Sequence, residues 1–184
     1  MSQFRGFIAV DIDFFSKVLE LEKEIKETGA NVKLVEPENT HITLKFLGDT
    51  NESQISEIGK TMKDVVKGID PFNIQLKGAG VYPNQNYIKI IWIGIKQGQP
   101  LEVIVKKIDE QFSKIGFKKE KRDFSPHLTI ARVKSGKRRH EILHVIEKYK
   151  DIQFVDIRVD SIKLKKSDLT PKGPIYTNII DVKL

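Results

Sequence analysis

Two short segments, one in each half of the chain, set a histidine and a threonine two residues apart within an alternating apolar pattern. The first reads Asn39-Thr40-His41-Ile42-Thr43-Leu44-Lys45-Phe46-Leu47-Gly48, and the second reads Pro126-His127-Leu128-Thr129-Ile130-Ala131-Arg132. Because successive residues of a strand point to opposite faces, each segment is predicted to be a strand with one buried and one chemical face. The residues predicted to be buried are Ile42, Leu44, Phe46, Leu128 and Ile130, and those predicted on the opposite faces are His41, Thr43, Lys45, His127 and Thr129.

The paired histidine and threonine suit an oxyanion such as phosphate. Imidazole exchanges a proton near neutral pH, and the hydroxyl donates a hydrogen bond. The alternative is two core histidines with satisfied ring nitrogens, each followed by a threonine because threonine suits strands. Two of the four histidines show this spacing, and the repetition favours a shared anion site.

Composition excludes several classes of protein. The 184 residues and 39% hydrophobic content fit a single domain, residues 1–184, with approximate repeats at 1–95 and 96–184. There is no cysteine, which rules out disulfides and thiolate metal sites. A net charge of +7 indicates polyanionic partners. With no signal peptide and no apolar run of membrane-spanning length, the protein is expected to be cytoplasmic, away from the membrane.

Apolar periodicity predicts the order of helices and strands. The predicted elements are a strand at 6–12, a helix capped by Asp11 or Asp13 and ending near 28, a strand at 32–35, the first His-Thr strand, a helix from Asn51 or Ser53 to about 68, extended runs at 72–82 and 87–95, a helix at 100–115, the second His-Thr strand, a helix at 137–149, and extended runs at 154–165 and 175–184. The order His-Thr strand, helix, long strand, turn, long strand occurs twice. This repetition predicts an α+β fold of two pseudo-symmetric lobes, each offering one histidine to a shared groove.

A different motif, His140-Glu141-Ile142-Leu143-His144, matches the H-E-x-x-H helix of zinc hydrolases. At about 100° per residue, the apolar stripe of this helix lies opposite both histidines, which are predicted to face solvent. No further histidine follows, and the basic run 137–139 repels a dication. The pattern favours an exposed helix face over a zinc site.

The two His-Thr segments resemble the paired HxTx motifs of the 2H phosphoesterase superfamily. Within it, the whole chain is similar to the LigT-like RNA 2′,3′-cyclic phosphodiesterases, also called 2′-5′ RNA ligases. Ile130 stands where leucine is commoner, a conservative difference. The resemblance implies a bilobal fold with the groove between two antiparallel sheets, no metal or other cofactor, and two catalytic histidines. It further implies His41 as the proton donor to the 3′ oxygen and His127 as the proton acceptor from water, leaving a 2′-phosphate.

Elementary chemistry is consistent with that implication. Opening a cyclic phosphodiester with water needs a base and an acid, and two imidazoles with pKa values near 6.5 can hold both states at neutral pH. Thr43 and Thr129 are expected to donate hydrogen bonds to the non-bridging oxygens in the transition state. With a 5′-hydroxyl in place of water, the same groups would form a 2′-5′ bond.

Four further residues are candidates for substrate binding. Lys45 and Arg132 are expected to hold phosphate, although strict alternation places Arg132 on the wrong face unless its strand bulges. Arg122, in the basic loop 117–125, is expected to follow an RNA backbone, and Phe124 to stack on a base. The alternatives are solvated charges and a core aromatic. The expected partner is RNA with a 2′,3′-cyclic phosphate end, tRNA fragments included, bound by a monomer. Other functions left open are a non-catalytic RNA-end-binding module and an enzyme that acts on a small nucleotide cyclic phosphate or on 2′-5′ oligonucleotides.

Overall fold

The computed structural model describes residues 2–13, 15–121, 123–171 and 173–184. The longer elements in these ranges are β1 (Gln3–Asp11), α1 (Ser16–Glu27), β2 (Val32–Leu34), β3 (His41–Asn51), α2 (Ile55–Val66), β4 (Phe72–Asn84), β5 (Tyr87–Lys96), α3 (Gln99–Lys114), β6 (His127–Val133), α4 (Arg139–Tyr149), β7 (Gln153–Val159), β8 (Ser161–Thr170) and β9 (Gly173–Lys183). Both His-Thr segments are strands, as predicted.

The strands form two antiparallel sheets. The first sheet has the order β3-β1-β8-β9 and carries His41 on its edge strand, and the second has the order β2-β6-β5-β4-β7 and carries His127. Each sheet takes a hairpin from the other half of the chain: β4–β5 joins the second sheet, and β8–β9 joins the first. The predicted two-lobed α+β fold is confirmed, with the two halves interleaved.

Amphipathic helices cover the sheets. Helices α2 and α3 contact β9 and β3 of the first sheet, and α4 contacts β4 of the second. The predicted apolar stripes are buried, among them Val18, Leu21 and Ile25 of α1. Helix α2 follows a short 3₁₀ turn in which the Gln54 side chain accepts a hydrogen bond from the Asn51 amide at 3.1 Å. None of the described helices is both long and apolar enough to cross a membrane.

Two predicted boundaries are wrong. Helix α1 begins at Ser16, after Phe15, and Asp11 is the last residue of β1 instead of a helix cap; Phe14, predicted in the apolar stripe, lies outside the described residues. The predicted run 154–165 is two strands in different sheets, divided at Asp160. The alternation of buried and exposed side chains is interrupted there, since Val159, Ser161 and Ile162 are all buried. No glycine or proline marks this change in the sequence.

Candidate active site

A β-bulge in β3 changes which side chains share the His41 face. The register passes from Ile8 opposite Lys45 to Ala9 opposite Thr43, so Leu44 has no partner of its own. Leu44 and Lys45 are therefore both buried, and Phe46 is 68% exposed. The predictions that Phe46 is buried and that Lys45 shares the face of the histidine are wrong, because one extra residue inverts the alternation.

The second His-Thr strand has the same bulge at the same place. Trp92 of β5 lies opposite Thr129 and Ile91 opposite Ala131, which leaves Ile130 without a partner. Ile130 and Ala131 are buried in succession, and Arg132 is exposed. The bulge therefore brings Arg132 onto the face of His127 and Thr129. The sequence analysis predicted that Arg132 could reach phosphate only if its strand has such a bulge. In the repeat, Arg132 corresponds to Phe46.

Each histidine is held by the backbone in the same way. Nδ1 of His41 lies 2.7 Å from the carbonyl oxygen of Asn39, and Nδ1 of His127 lies 2.8 Å from that of Ser125. Because a carbonyl oxygen only accepts, Nδ1 carries the hydrogen in both rings. Nε2 of each neutral ring is then an unprotonated nitrogen, able to take or return a proton.

The two His-Thr strands approach each other where the two sheets meet, and we call the space between them the cleft. Cα atoms of β3 and β6 approach within 8 Å of each other, although the strands belong to different sheets. Burial is the main cause that lowers the pKa of His41 and raises the pKa of Tyr176, and the charge of Arg132, on the second sheet, acts on both of these first-sheet groups in the downward direction. Charge on the second sheet therefore acts on groups of the first.

His41 has an aromatic and largely desolvated environment. Its ring centroid lies 5.0 Å from that of Phe7 and 5.1 Å, edge to face, from that of Tyr176. Burial is the main cause that lowers its pKa below the usual 6.5. The cations Lys165 and Arg132 also lower this pKa. Without a bound anion, the imidazole of His41 is therefore held towards its neutral form.

A buried charge cluster lies beside His41. Asp11 is directly opposite His41 in the register of β1 and β3, and its carboxylate pairs with Lys163 at 2.8 Å and with Lys165. Burial raises the pKa of Asp11, but the hydrogen bonds from both lysines outweigh this and lower it. Lys163 also lies 3.9 Å from the Asp181 carboxylate, so the two lysines are balanced by two carboxylates. The sequence analysis missed these lysines and Tyr176; the alternation of Lys163 and Lys165 with buried Ile162 and Leu164 is the signal that marks this face of β8.

The wall of the second sheet contains Trp92, which the sequence analysis also missed. Trp92 is half-buried beside Thr129 and covers Gly80 of β4, where an added Cβ would lie 2.2 Å from the indole. Only glycine leaves room for this ring. An aromatic surface thus adjoins the His127 motif.

Lys45, predicted to bind phosphate, lies under the first sheet instead of in the cleft. Its side chain is 1% exposed, and Nζ donates to the Asp109 carboxylate at 2.7 Å and to the Lys118 carbonyl at 2.8 Å. The same Asp109 oxygen accepts from the Glu120 amide at 2.9 Å. Lys45 therefore fastens the loop before β6 to β3 and α3, a placement that argues against a phosphate contact.

The other predicted binding residues are placed as follows. Phe124 is half-buried and packs against the hydrophobic core, as a core aromatic does. Arg122 lies outside the described residues. His140 and His144 of the H-E-x-x-H segment are exposed, opposite the buried Ile142, as the helix wheel predicts. In the described part of the chain, no three His, Asp or Glu side chains are grouped to hold a metal.

The paired bulged strands and the exchanged hairpins define a two-lobed phosphoesterase architecture, and sequence comparison agrees. The family model described as LigT-like phosphoesterase matches the chain twice, over residues 10–92 and 93–176. The chain therefore belongs to the LigT-like phosphoesterase family.

Relatives and solved structures agree with this assignment. A Methanocaldococcus jannaschii protein, 44% identical over 94% of this chain and 96% of its own length, and a Methanothermobacter thermautotrophicus protein, 40% identical over 95% and 96%, both bear the name RNA 2′,3′-cyclic phosphodiesterase. Crystal structures of a Thermus thermophilus protein (TM-score 0.76, 21% identity, 98% of this chain and 97% of that one) and of Escherichia coli LigT (TM-score 0.74, 18% identity, 100% and 98%) share the fold.

Proposed function

We propose that this protein is an RNA 2′,3′-cyclic phosphodiesterase that opens the cyclic end with water and leaves a 2′-phosphate. The observation that carries the proposal is the matched pair of imidazoles, each with Nδ1 hydrogen-bonded to a backbone carbonyl, on strands of two sheets that meet at one cleft. Relatives of nearly equal length with the same activity in their names support the same reaction.

In the proposed reaction, His127 accepts a proton from water as the water oxygen attacks phosphorus. The bond from phosphorus to the 3′ oxygen breaks, and His41 gives its proton to that oxygen. Thr43 and Thr129 donate hydrogen bonds to the non-bridging oxygens, where charge builds up. In the free protein, His41 is held towards its neutral form. The negative charge of the bound phosphate raises the pKa of His41, so that this histidine can act as the acid. With a 5′-hydroxyl in place of water as the attacking group, the same steps form a 2′-5′ linkage: the 5′ oxygen bonds to phosphorus, the bond to the 3′ oxygen breaks, and His41 gives its proton to that oxygen.

The test uses an oligonucleotide that ends in a 2′,3′-cyclic phosphate, assayed with EDTA present. We expect turnover to a 2′-phosphate, with activity falling by about 10²–10⁴-fold in His41→Ala and in His127→Ala. His144→Ala removes an exposed histidine outside the cleft and is the matched control, expected to keep full activity. Substantial activity in either cleft variant would defeat the two-histidine mechanism.

A non-catalytic RNA-end-binding module is the competing function. It predicts tight binding of the cyclic end without turnover by the unmodified protein. Equilibrium binding and product analysis on the same oligonucleotide separate the two functions, because only the enzyme converts the bound end.

A further inference from the structure

A basic pocket lies beside the cleft, between the tip of the β4–β5 hairpin and the loop from β6 to α4. Its volume is about 530 Å³. We define the basic pocket by the side chains that line it and carry the argument, Asn86, Tyr87, Lys89, Arg132, Lys134 and Arg139. No carboxylate is among the lining residues that the structure describes.

The cations of this pocket are not neutralised by the protein. Lys89 lies 5.0 Å from the centre of the Tyr87 ring, and Arg139 Nη1 donates to the Asn86 carbonyl at 3.0 Å. Lys89 and Lys134 are exposed. Among the ion pairs of the described residues, none involves a cation of the basic pocket.

The lysines of the first sheet behave differently. Lys163 and Lys165 share the carboxylate of Asp11, and Lys45 pairs with Asp109. The positive charge of the basic pocket is therefore available to an external anion.

Arg132 connects the basic pocket to the catalytic cleft. It lines the pocket, it lies on the same strand and face as His127, and its charge acts on His41 and Tyr176 of the first sheet. Along β6, Arg132 follows His127 by five residues, one of them in the bulge, which is about 13 Å of strand at about 3.3 Å per residue. A ligand in contact with both ends of this path is longer than a single phosphate group and is anionic along its length.

We infer that the basic pocket binds the sugar-phosphate backbone of the RNA nucleotides that precede the cyclic phosphate. The inference rests on the proposed function and specifies its substrate: a single-stranded oligonucleotide is a better substrate than a mononucleotide. The charges that contact the phosphates are those of Lys89, Lys134 and Arg139. Contacts to phosphates depend on the length of the strand and not on the identity of its bases. The contribution of the pocket to kcat/KM is therefore expected to weaken as the salt concentration rises.

The experiment compares a nucleoside 2′,3′-cyclic phosphate with oligonucleotides of two and four residues that carry the same cyclic end. The variant is the double substitution Lys89→Gln with Lys134→Gln. The matched control is Lys60→Gln with Lys106→Gln, which removes two exposed lysines from α2 and α3. Thermal unfolding verifies that both variants are folded, as expected for substitutions of exposed side chains.

We expect kcat/KM of the unmodified protein to rise with the length of the substrate, mainly through KM. The Lys89 and Lys134 variant should lose most of this rise and turn over the mononucleotide as the unmodified protein does. For the tetranucleotide, the slope of log kcat/KM against log salt should weaken by about 1.4, because each phosphate contact on a single strand contributes about 0.7. The control should keep the slope.

Two results would overturn the inference: kcat/KM that does not depend on length in the unmodified protein, or an equal change in variant and control. If no substrate is turned over, the proposed function fails instead. Fluorescence anisotropy with a labelled tetranucleotide then tests the pocket separately, and supports it only if binding weakens in the Lys89 and Lys134 variant and not in the control.

Discussion

Removal of Asp109, the partner of the buried Lys45, tests how the loop before β6 is held; the Asp109 side chain is 24% exposed, whereas that of Lys45 is 1% exposed. Asp109→Asn keeps an oxygen that can accept from the Glu120 amide but removes the charge opposite Lys45. The ammonium group, in a side chain that is 1% exposed, is then left without a counter-charge. Most of the free-energy cost is therefore the uncompensated charge of Lys45 and not the loss of a hydrogen bond.

The expected cost follows from that burial. Removing one partner of a buried ion pair destabilises a protein by about 3–5 kcal/mol. For a chain of this size, 1 kcal/mol corresponds to about 2–4 °C in melting temperature, so Asp109→Asn should lower Tm by about 6–20 °C. Replacing Lys45 by methionine in the same molecule removes the stranded charge, and the double variant should recover most of the loss.

Denaturant unfolding of the two single variants and the double variant at neutral pH measures the coupling. Glu27→Gln is the control, because it breaks the surface pair with Lys23, whose side chains are 77% and 62% exposed, and should change stability by less than about 1 kcal/mol. An Asp109→Asn cost no larger than the Glu27→Gln cost, or a double variant whose loss is the sum of the single losses, would refute the explanation.

Two further predictions concern titrating groups. Nuclear magnetic resonance titration of the unliganded protein should give His41 a pKa below 6.5, and Arg132→Gln should raise it, because a nearby cation disfavours the imidazolium form; a downward shift would contradict the proximity of Arg132. Glu22 is 5% exposed, and burial raises its pKa to about 7. The raised pKa stabilises the fold below about pH 4.5, and this contribution is lost as pH rises through 7. Glu22→Gln should therefore stabilise the protein at pH 8 by on the order of 3 kcal/mol relative to its effect at pH 4, measured by thermal unfolding, and equal effects at both pH values would count against the buried charge.

The sequence predicted the parts of the site that depend on local pattern. His41 and Thr43 could be assigned to a strand with the correct face because two-residue periodicity holds from His41 to Leu44, before the bulge takes effect. The stripe of α4 placed its histidines in solvent for the same reason, since a helix of 11 residues keeps its phase. Patterns of this kind are determined within one element.

The features that sequence analysis missed depend on contacts between elements. The bulges at Leu44 and Ile130 follow from register with β1 and β5, and no glycine marks them. The burial of Lys45 depends on Asp109, which is distant in sequence, and the sheet change at Asp160 depends on where β8 finds its partner. The bulge in β3 moves Lys45 off the face of His41. The bulge in β6 brings Arg132 onto the face of His127.

The exchange of hairpins between the two halves also governs what happens if the chain is cut. Cleavage between β5 and α3 would separate the repeats, yet the N-terminal fragment would hold β3 and β1 without β8 and β9, and β4 and β5 without β6. Each fragment would carry exposed strand edges that the other fragment pairs in the intact protein. The halves are thus suited to reassemble as complementary pieces, and a single half could close its sheets only by trading hairpins with a second copy of itself.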